Sequence, residues 1–185
     1  MSLFKLGGFL TPEQCLAIRR GMDRGEVEPA EILGRGIHRE VGVRAAALID
    51  PDLDVVRGVE LRLESCRERV AGALDMTLSE REGAGFVRYP VGGFYKPHRD
   101  RGDDPEWDGA ARRAVALVLF LNTSRDSGLE GEFDGGVLRL FFAQAQVDVA
   151  PEAGLLVAFS ADVLHEVTDV RGGTRDAIVD WFYSG

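Results

Sequence analysis

Cysteine and histidine are scarce in this chain, with two and three copies among 185 residues. Cys15 and Cys66 fall in segments that read as helices, and two such residues without an export signal are expected to be reduced core residues rather than a disulfide. Basic residues are outnumbered too, 22 Lys and Arg against 31 Asp and Glu, for a formal charge of −9. A general nucleic-acid binder needs a basic surface to displace counterions from phosphate, so the balance argues against that role. No apolar run approaches membrane-spanning length. The opening Met1-Ser2-Leu3-Phe4-Lys5-Leu6 lacks the charged start, long apolar stretch and small-residue cleavage site of a secretory leader. The expectation is a cytoplasmic protein with no membrane association. Internal repeats, low-complexity tracts and interdomain linkers are also missing, and the length suits one domain over 1–185 with a substantial core.

What is present divides the chain in two. Thr11-Pro12-Glu13-Gln14 carries a helix-start signature: a threonine cap, proline at the first helical position, and a glutamine placed to complete a capping box. With Leu10, Cys15, Ile18 and Met22 on one face, residues 11–24 are predicted to be helical. A second helix is predicted from Pro51-Asp52 to about Leu74, where Val55, Val56, Val59, Leu61, Leu63, Cys66, Val70 and Leu74 lie close to helical spacing. Residues 37–49 between them read as an extended arm, so helices are expected to dominate the first 75 residues. From residue 84 the pattern changes to short runs rich in Val, Leu and Phe, with strands predicted at 84–89, 93–99, 114–121, 136–142, 146–149, 154–159, 163–168 and 174–183. Arg101 to Asp108 and Thr123 to Asp134 concentrate charge, Gly and Pro and read as loops beside the proposed site. The expected fold is mainly β, a sandwich or jelly roll (a double-stranded β-helix), with 84–183 as its core and a helical region, 1–83, packed on one outer face.

Two of the three histidines belong to one constellation. His98-Arg99-Asp100 lies on a predicted extended segment, where side-chain direction alternates, so His98 and Asp100 share a face and Arg99 points away. If His165 arrives from a distant strand, the three groups form a two-histidine, one-carboxylate facial triad. That arrangement leaves adjacent metal positions open for oxygen and a bidentate ligand, which suits a non-haem Fe(II) oxygenase. The third histidine, His38, sits in the arm and is expected to be structural or exposed.

The run from Phe86 to Asp100, with Tyr89, Gly92, Gly93 and Tyr95 leading to the His-x-Asp pair, resembles the prolyl 4-hydroxylase-like branch of the 2-oxoglutarate and Fe(II)-dependent dioxygenases. Phe133-Asp134-Gly135-Gly136-Val137-Leu138 is similar to that family's acidic-Gly-Gly-x-Leu segment, and His165 followed ten positions later by Arg175 resembles its closing half. The matches span about 84–183. The resemblance implies Fe(II) held by His98, Asp100 and His165, 2-oxoglutarate as co-substrate, O2, and ascorbate as an accessory reductant. It further implies hydroxylation of an aliphatic C–H, in a prolyl or other amino-acid residue or a small molecule, coupled to decarboxylation of 2-oxoglutarate to succinate. Asp100 favours hydroxylation over halogenation, because related halogenases lack this carboxylate. Arg175 offers a planar fork matched to the distal carboxylate of the co-substrate, and Tyr89 matches a tyrosine that contacts it. Arg171, before the Gly172-Gly173 turn, is expected to be solvated.

One departure stands out. Where many prolyl hydroxylases carry a tyrosine that also binds the distal carboxylate, this chain has Phe120, which donates no hydrogen bond. Thr168, Thr174 or water would compensate, or Arg175 would carry the acid alone. An AlkB-like oxidative demethylase is the rival enzyme reading, disfavoured because Trp181 stands where that branch has a second arginine. A non-catalytic jelly-roll sensor is the rival from another class. The acidic stretches Asp103-Asp104-Pro105-Glu106 and 128–132 leave room for a basic substrate.

Overall fold

Thr11 and Gln14 close the predicted capping box: Thr11 Oγ1 accepts from the Gln14 amide at 3.3 Å, and Gln14 Oε1 from the Thr11 amide at 3.0 Å. In the computed structural model, which describes residues 2–29, 42–102 and 108–185, this helix is α1 (Pro12–Met22), between β1 (Leu3–Leu6) and β2 (Glu26–Pro29). There follow β3 (Arg44–Ala45), β4 (Ala47–Asp50), α2 (Leu53–Ser65), α3 (Arg67–Leu74), β5 (Leu78–Arg81), β6 (Gly85–Tyr89) and β7 (Phe94–His98). After α4 (Asp108–Arg112) come β8 (Arg113–Phe120), β9 (Asp134–Gly135), β10 (Leu138–Phe142), β11 (Ala145–Val149), β12 (Leu156–Ser160), β13 (Leu164–Val167), β14 (Val170–Gly172) and β15 (Arg175–Ser184). Every strand predicted from residue 84 onward is found within a few residues of its expected place.

Two expectations for the first 83 residues need correction. The single helix predicted over 51–74 is two, α2 and α3, broken at Cys66, whose φ of −93° and ψ of −3° leave the helical path while its thiol lies 3.0 Å from the Leu63 carbonyl. Val59, Leu63, Cys66, Val70 and Leu74 are buried on both sides of the break, so the apolar periodicity passes through it unchanged. Leu61, included in the predicted face, is exposed. Nor is this region only a helical support: β1 pairs with β12, β4 with β6, β2 with β4 and β5 with β15. The sequence hides these strands because they are four residues long and, in β2 and β5, largely polar, as sheet-edge segments often are. The arm over 37–49 becomes β3 and β4 from residue 44 on; its start, including His38, lies outside the described residues.

Two facing antiparallel sheets give the double-stranded β-helix, and β9 and β14 form a separate two-stranded ladder. The larger has the order β1-β12-β8-β15-β6-β4-β2, with β5 added beside β15, and the smaller is β11-β10-β13-β7-β3. Strand β15 shows how each face is assigned. Ile178 and Phe182 pack outward into the cluster that holds Cys15, Met22, Leu63, Val70 and the outer residues Leu117 and Leu156, so the helices cover this sheet as expected. Ala177 and its neighbours Val118, Phe120, Val157 and Phe159 turn inward against Leu138 and Leu140 of the smaller sheet. No described helix is long and apolar enough to cross a membrane.

Register between β6 and β15 is fixed from the outer face. Asp176, 1% exposed, accepts from Arg19 Nε at 3.0 Å and from Arg88 Nε at 2.7 Å. Its amide donates to Asn122 Oδ1 at 3.0 Å. Asp176 pairs with Arg88 in the ladder, so the next pair, Arg175 with Tyr89, is set on the inner face; a slip of one residue would turn both out of the interior. Asp176→Ala, which removes the buried carboxylate that Arg19 and Arg88 share and leaves each only its more exposed partner, Glu132 or Asp23, is expected to cost about 3 kcal/mol in urea denaturation. An unchanged midpoint would show that the clamp contributes nothing.

Candidate active site

Strands β7 and β13 bring the predicted triad together by means of an irregularity. His165 pairs with His98 and Val167 with Tyr95, so two steps on β13 face three on β7. Such a bulge resets side-chain direction, and it falls beside Pro97, which has no ladder N–H to give. Tyr95 and His98, three positions apart, therefore share a face and stack with centroids 3.5 Å apart at 16°. The His98 and His165 rings lie 4.2 Å apart, and Phe159 packs edge-on against His165 at 4.8 Å. Just past β7, the Asp100 amide donates to the Ala161 carbonyl at 3.1 Å. Arg99 donates to the Asp162 carbonyl and does not line the cavity, as the alternation predicts.

Hydrogen bonding decides the histidine tautomers. His98 Nδ1 lies 2.8 Å from the Lys96 carbonyl and His165 Nδ1 2.9 Å from that of Val163. A carbonyl only accepts, so each Nδ1 carries the proton and each Nε2 presents a lone pair. Both lone pairs converge on Asp100, with His98 Nε2 3.6 Å from Oδ1 and His165 Nε2 3.5 Å from Oδ2. Burial alone would raise the Asp100 carboxyl, but His165 and His98 outweigh it and hold the group well below the usual carboxylate range. His165 is pushed below the ordinary histidine value by burial, against the pull of Asp100. One ligand atom from each residue lies within 4.8 Å of the others, the one such group found among the described residues. Two neutral nitrogens and a carboxylate facing one another without a shared proton fit a divalent cation, and this nitrogen–oxygen set suits Fe(II).

Arg175, 2% exposed, enters the same cavity from β15. Its Nε donates to the Gly136 carbonyl at 2.9 Å, and its guanidinium lies 4.9 Å from the Tyr89 ring centre and 5.3 Å from that of Phe120. Gly136 has a φ of +61°, and a Cβ there would stand 2.7 Å from Arg175 Cδ, so the second glycine of the Asp-Gly-Gly segment makes room for the arginine stem. Tyr89 is buried beside it. Thr168 does not replace the hydroxyl missing at Phe120: its Oγ1 accepts from the Val137 amide at 2.9 Å, and it lines a different cleft from the one that Arg175 enters. Arg171 is exposed but not merely solvated, since it holds Asp126 through two contacts of 2.8 Å.

Several lining residues escaped the sequence reading. Arg113, buried at the start of β8, pairs with Glu82, donates to the Asp100 carbonyl at 3.1 Å and lies 3.7 Å over the Trp181 ring. An arginine abutting an otherwise apolar strand is the signal that marks it. Arg44 also lines the cavity and gave no signal, because it comes from a two-residue strand.

The depressed His165 gives a signed pH effect. The unfolded imidazole takes up its proton near pH 6.5 and the folded one only lower, so the metal-free protein loses stability as pH falls below about 6.5. His165→Gln should flatten the slope of the urea midpoint between pH 7.5 and 5.5; parallel slopes would rule this out.

The profile of the 2OG-Fe(II) oxygenase superfamily matches residues 84–183. A prolyl-4-hydroxylase from Pseudomonas putida is 29% identical, with a TM-score of 0.73 over 100% of this chain and 93% of that one. A Trichoplax adhaerens prolyl hydroxylase, solved with a peptide fragment of the hypoxia inducible factor oxygen degradation domain, shares the fold at 19% identity and a TM-score of 0.78, covering 99% and 84%. The viral collagen prolyl hydroxylase of Paramecium Bursaria Chlorella virus-1, solved with 2OG, does so at 17% and 0.66, covering 100% and 97%. No curated protein sequence matches. The matched span takes in more than half of the chain and carries the His-Asp-His cluster with its neighbouring arginine, so the chain belongs to the 2OG-Fe(II) oxygenase superfamily, whose members use Fe(II), 2-oxoglutarate and O2.

Proposed function

We propose that this oxygenase hydroxylates an aliphatic C–H of a prolyl or other amino-acid residue, with His98, Asp100 and His165 holding Fe(II) and with Arg175 and Tyr89 binding 2-oxoglutarate. The convergence of three donor atoms within 4.8 Å carries the reading. When bound, the iron and co-substrate supply the oxidising chemistry, with 2-oxoglutarate leaving as succinate. The protein's part is positional. Backbone carbonyls at Lys96 and Val163 fix both imidazoles in the tautomer that offers Nε2, and Asp100 stays ionised across the neutral range. Arg175 is held by a carbonyl and two rings, so its fork is already aligned when a carboxylate arrives. Tyr89 contributes its hydroxyl at the same end of the cavity. Leu138, Val179 and Trp181 exclude water.

Structural similarity to prolyl hydroxylases, one of them solved with a peptide, favours an amino-acid substrate, free or within a peptide. It also disfavours the AlkB-like reading, and Trp181 occupies the position of that branch's second arginine with its ring under Arg113. Turnover separates an enzyme from a binding-only sensor.

With Fe(II) and 2-oxoglutarate the protein is expected to form succinate, and a substrate screen to show a mass gain of one oxygen. His98→Ala serves as the blank; equal oxidation by that variant would refute the iron site. Asp100→Ala should weaken Mn(II) binding by about 100-fold or more in calorimetry. Arg175→Ala should raise the KM for 2-oxoglutarate roughly ten- to hundredfold while leaving Mn(II) affinity unaltered. An unchanged KM would remove Arg175 from the co-substrate site.

A further inference from the structure

Asp100 and His165 reach the cavity from segments far apart in sequence, and one short turn holds both of them. That turn, 161–163, links β12 to β13. Its first carbonyl, of Ala161, accepts from the amides of Asp100 and Arg101, each at 3.1 Å. Its last, of Val163, lies 2.9 Å from His165 Nδ1 and sets that ring. Only Asp162 separates the two carbonyls, so a rotation of the turn there would move the Asp100 main chain against the His165 ring.

The arginines on either side of Asp100 both close on Asp162. Arg99 donates to its carbonyl, and Arg101 Nη1 donates to its Oδ2 at 3.0 Å. Arg101 is braced in turn: its Nε donates to the Arg113 carbonyl at 2.7 Å, while Arg113 Nη1 reaches back to the Asp100 carbonyl at 3.1 Å. The turn is tied to β8 as well, because the Ala161 amide donates to the Ala114 carbonyl at 2.9 Å. Neither Arg101 nor Asp162 lines the cavity, and their side chains are 34% and 55% exposed. A pair so exposed adds little to folding. Its place across the two segments gives it another use.

We propose that Arg101 and Asp162 are positioning residues for the metal site: their ion pair clasps the segment that carries Asp100 to the turn that aims His165, and so sets the spacing of two ligands from outside the cavity. This rests on the reading in which His98, Asp100 and His165 hold the metal. Ligands bind a cation well when they are spaced for it beforehand, and groups outside the ligand set control that spacing. A purely structural pair would add to the stability of the metal-free fold and leave metal affinity alone.

Calorimetric titration of Mn(II) into the metal-free protein, beside urea denaturation of the same samples, tests the proposal without turnover. Asp162→Asn, which keeps the size and removes the charge, is expected to weaken Mn(II) binding about three- to fivefold, the range of one exposed ion pair. Arg101→Gln, which also gives up the bond to the Arg113 carbonyl, should weaken it about tenfold. The double variant should lose no more than Arg101→Gln alone, because both changes open one clasp. Metal-free urea midpoints should stay close to the wild-type value. Raising the salt from about 0.1 to about 1 M shortens the reach of charge from about 10 to about 3 Å and should shrink the difference between wild type and Asp162→Asn. Wild-type affinity in both single variants, losses that add in full in the double variant, a difference that salt leaves unchanged, or a fall in urea midpoint with Mn(II) affinity intact would each overturn the proposal. If Arg101→Gln does not fold, as judged by circular dichroism, Asp162→Asn and its salt dependence decide. If the wild-type protein does not bind Mn(II), the metal-site reading falls and this proposal with it; if wild type and variants bind equally, only the clasp falls.

Discussion

Strand β15 serves two interiors at once, and the rest of the molecule depends on its register. One face supplies Ile178 and Phe182 to the layer under the helices, together with Asp176 and Asp180, whose charges are met by arginines. The other face supplies Arg175, Val179 and Trp181 to the reactive cavity. Since alternation allows no intermediate setting, the clamp of Arg19 and Arg88 on Asp176 is also what aims Arg175. Helix α1, remote from the triad, is thereby tied to the Arg175 side of the cavity through Arg19.

The opposite sheet solves a different problem. A regular ladder would turn Tyr95 and His98 to opposite faces, and the bulge in β7 removes that conflict. A stack of aromatic and imidazole rings results, which stiffens the first histidine, while backbone carbonyls hold the protonation pattern of both. Both histidines and Arg175 are held by main-chain carbonyls as well as by neighbouring rings.

Much of this was legible in the sequence, and the reasons differ from part to part. Strands β8, β12 and most of β15 announce themselves because both of their faces are buried, so their apolar runs are continuous and bounded by glycine and acidic turns. The triad could be read because histidine is rare and the His-x-Asp spacing is tied to strand geometry. Cys66 was opaque, since a helix break that preserves apolar spacing leaves no mark in periodicity. Arg44 was opaque for another reason. Its place depends on a partner, Tyr95, that lies far away in sequence, and nothing in the local pattern separates it from a surface arginine, whereas Arg113 is marked only by the apolar strand it abuts.

Phe120 gains a meaning in three dimensions that it lacks as a missing hydroxyl. With its ring on one side of Arg175, Tyr89 near by and the Gly136 carbonyl at Nε, the guanidinium is held from three directions. A cation held in this way sets a span between itself and the histidines. Under the proposed function the cavity would act as a ruler, admitting a diacid whose two ends match that span and leaving a shorter or longer one with one end unheld.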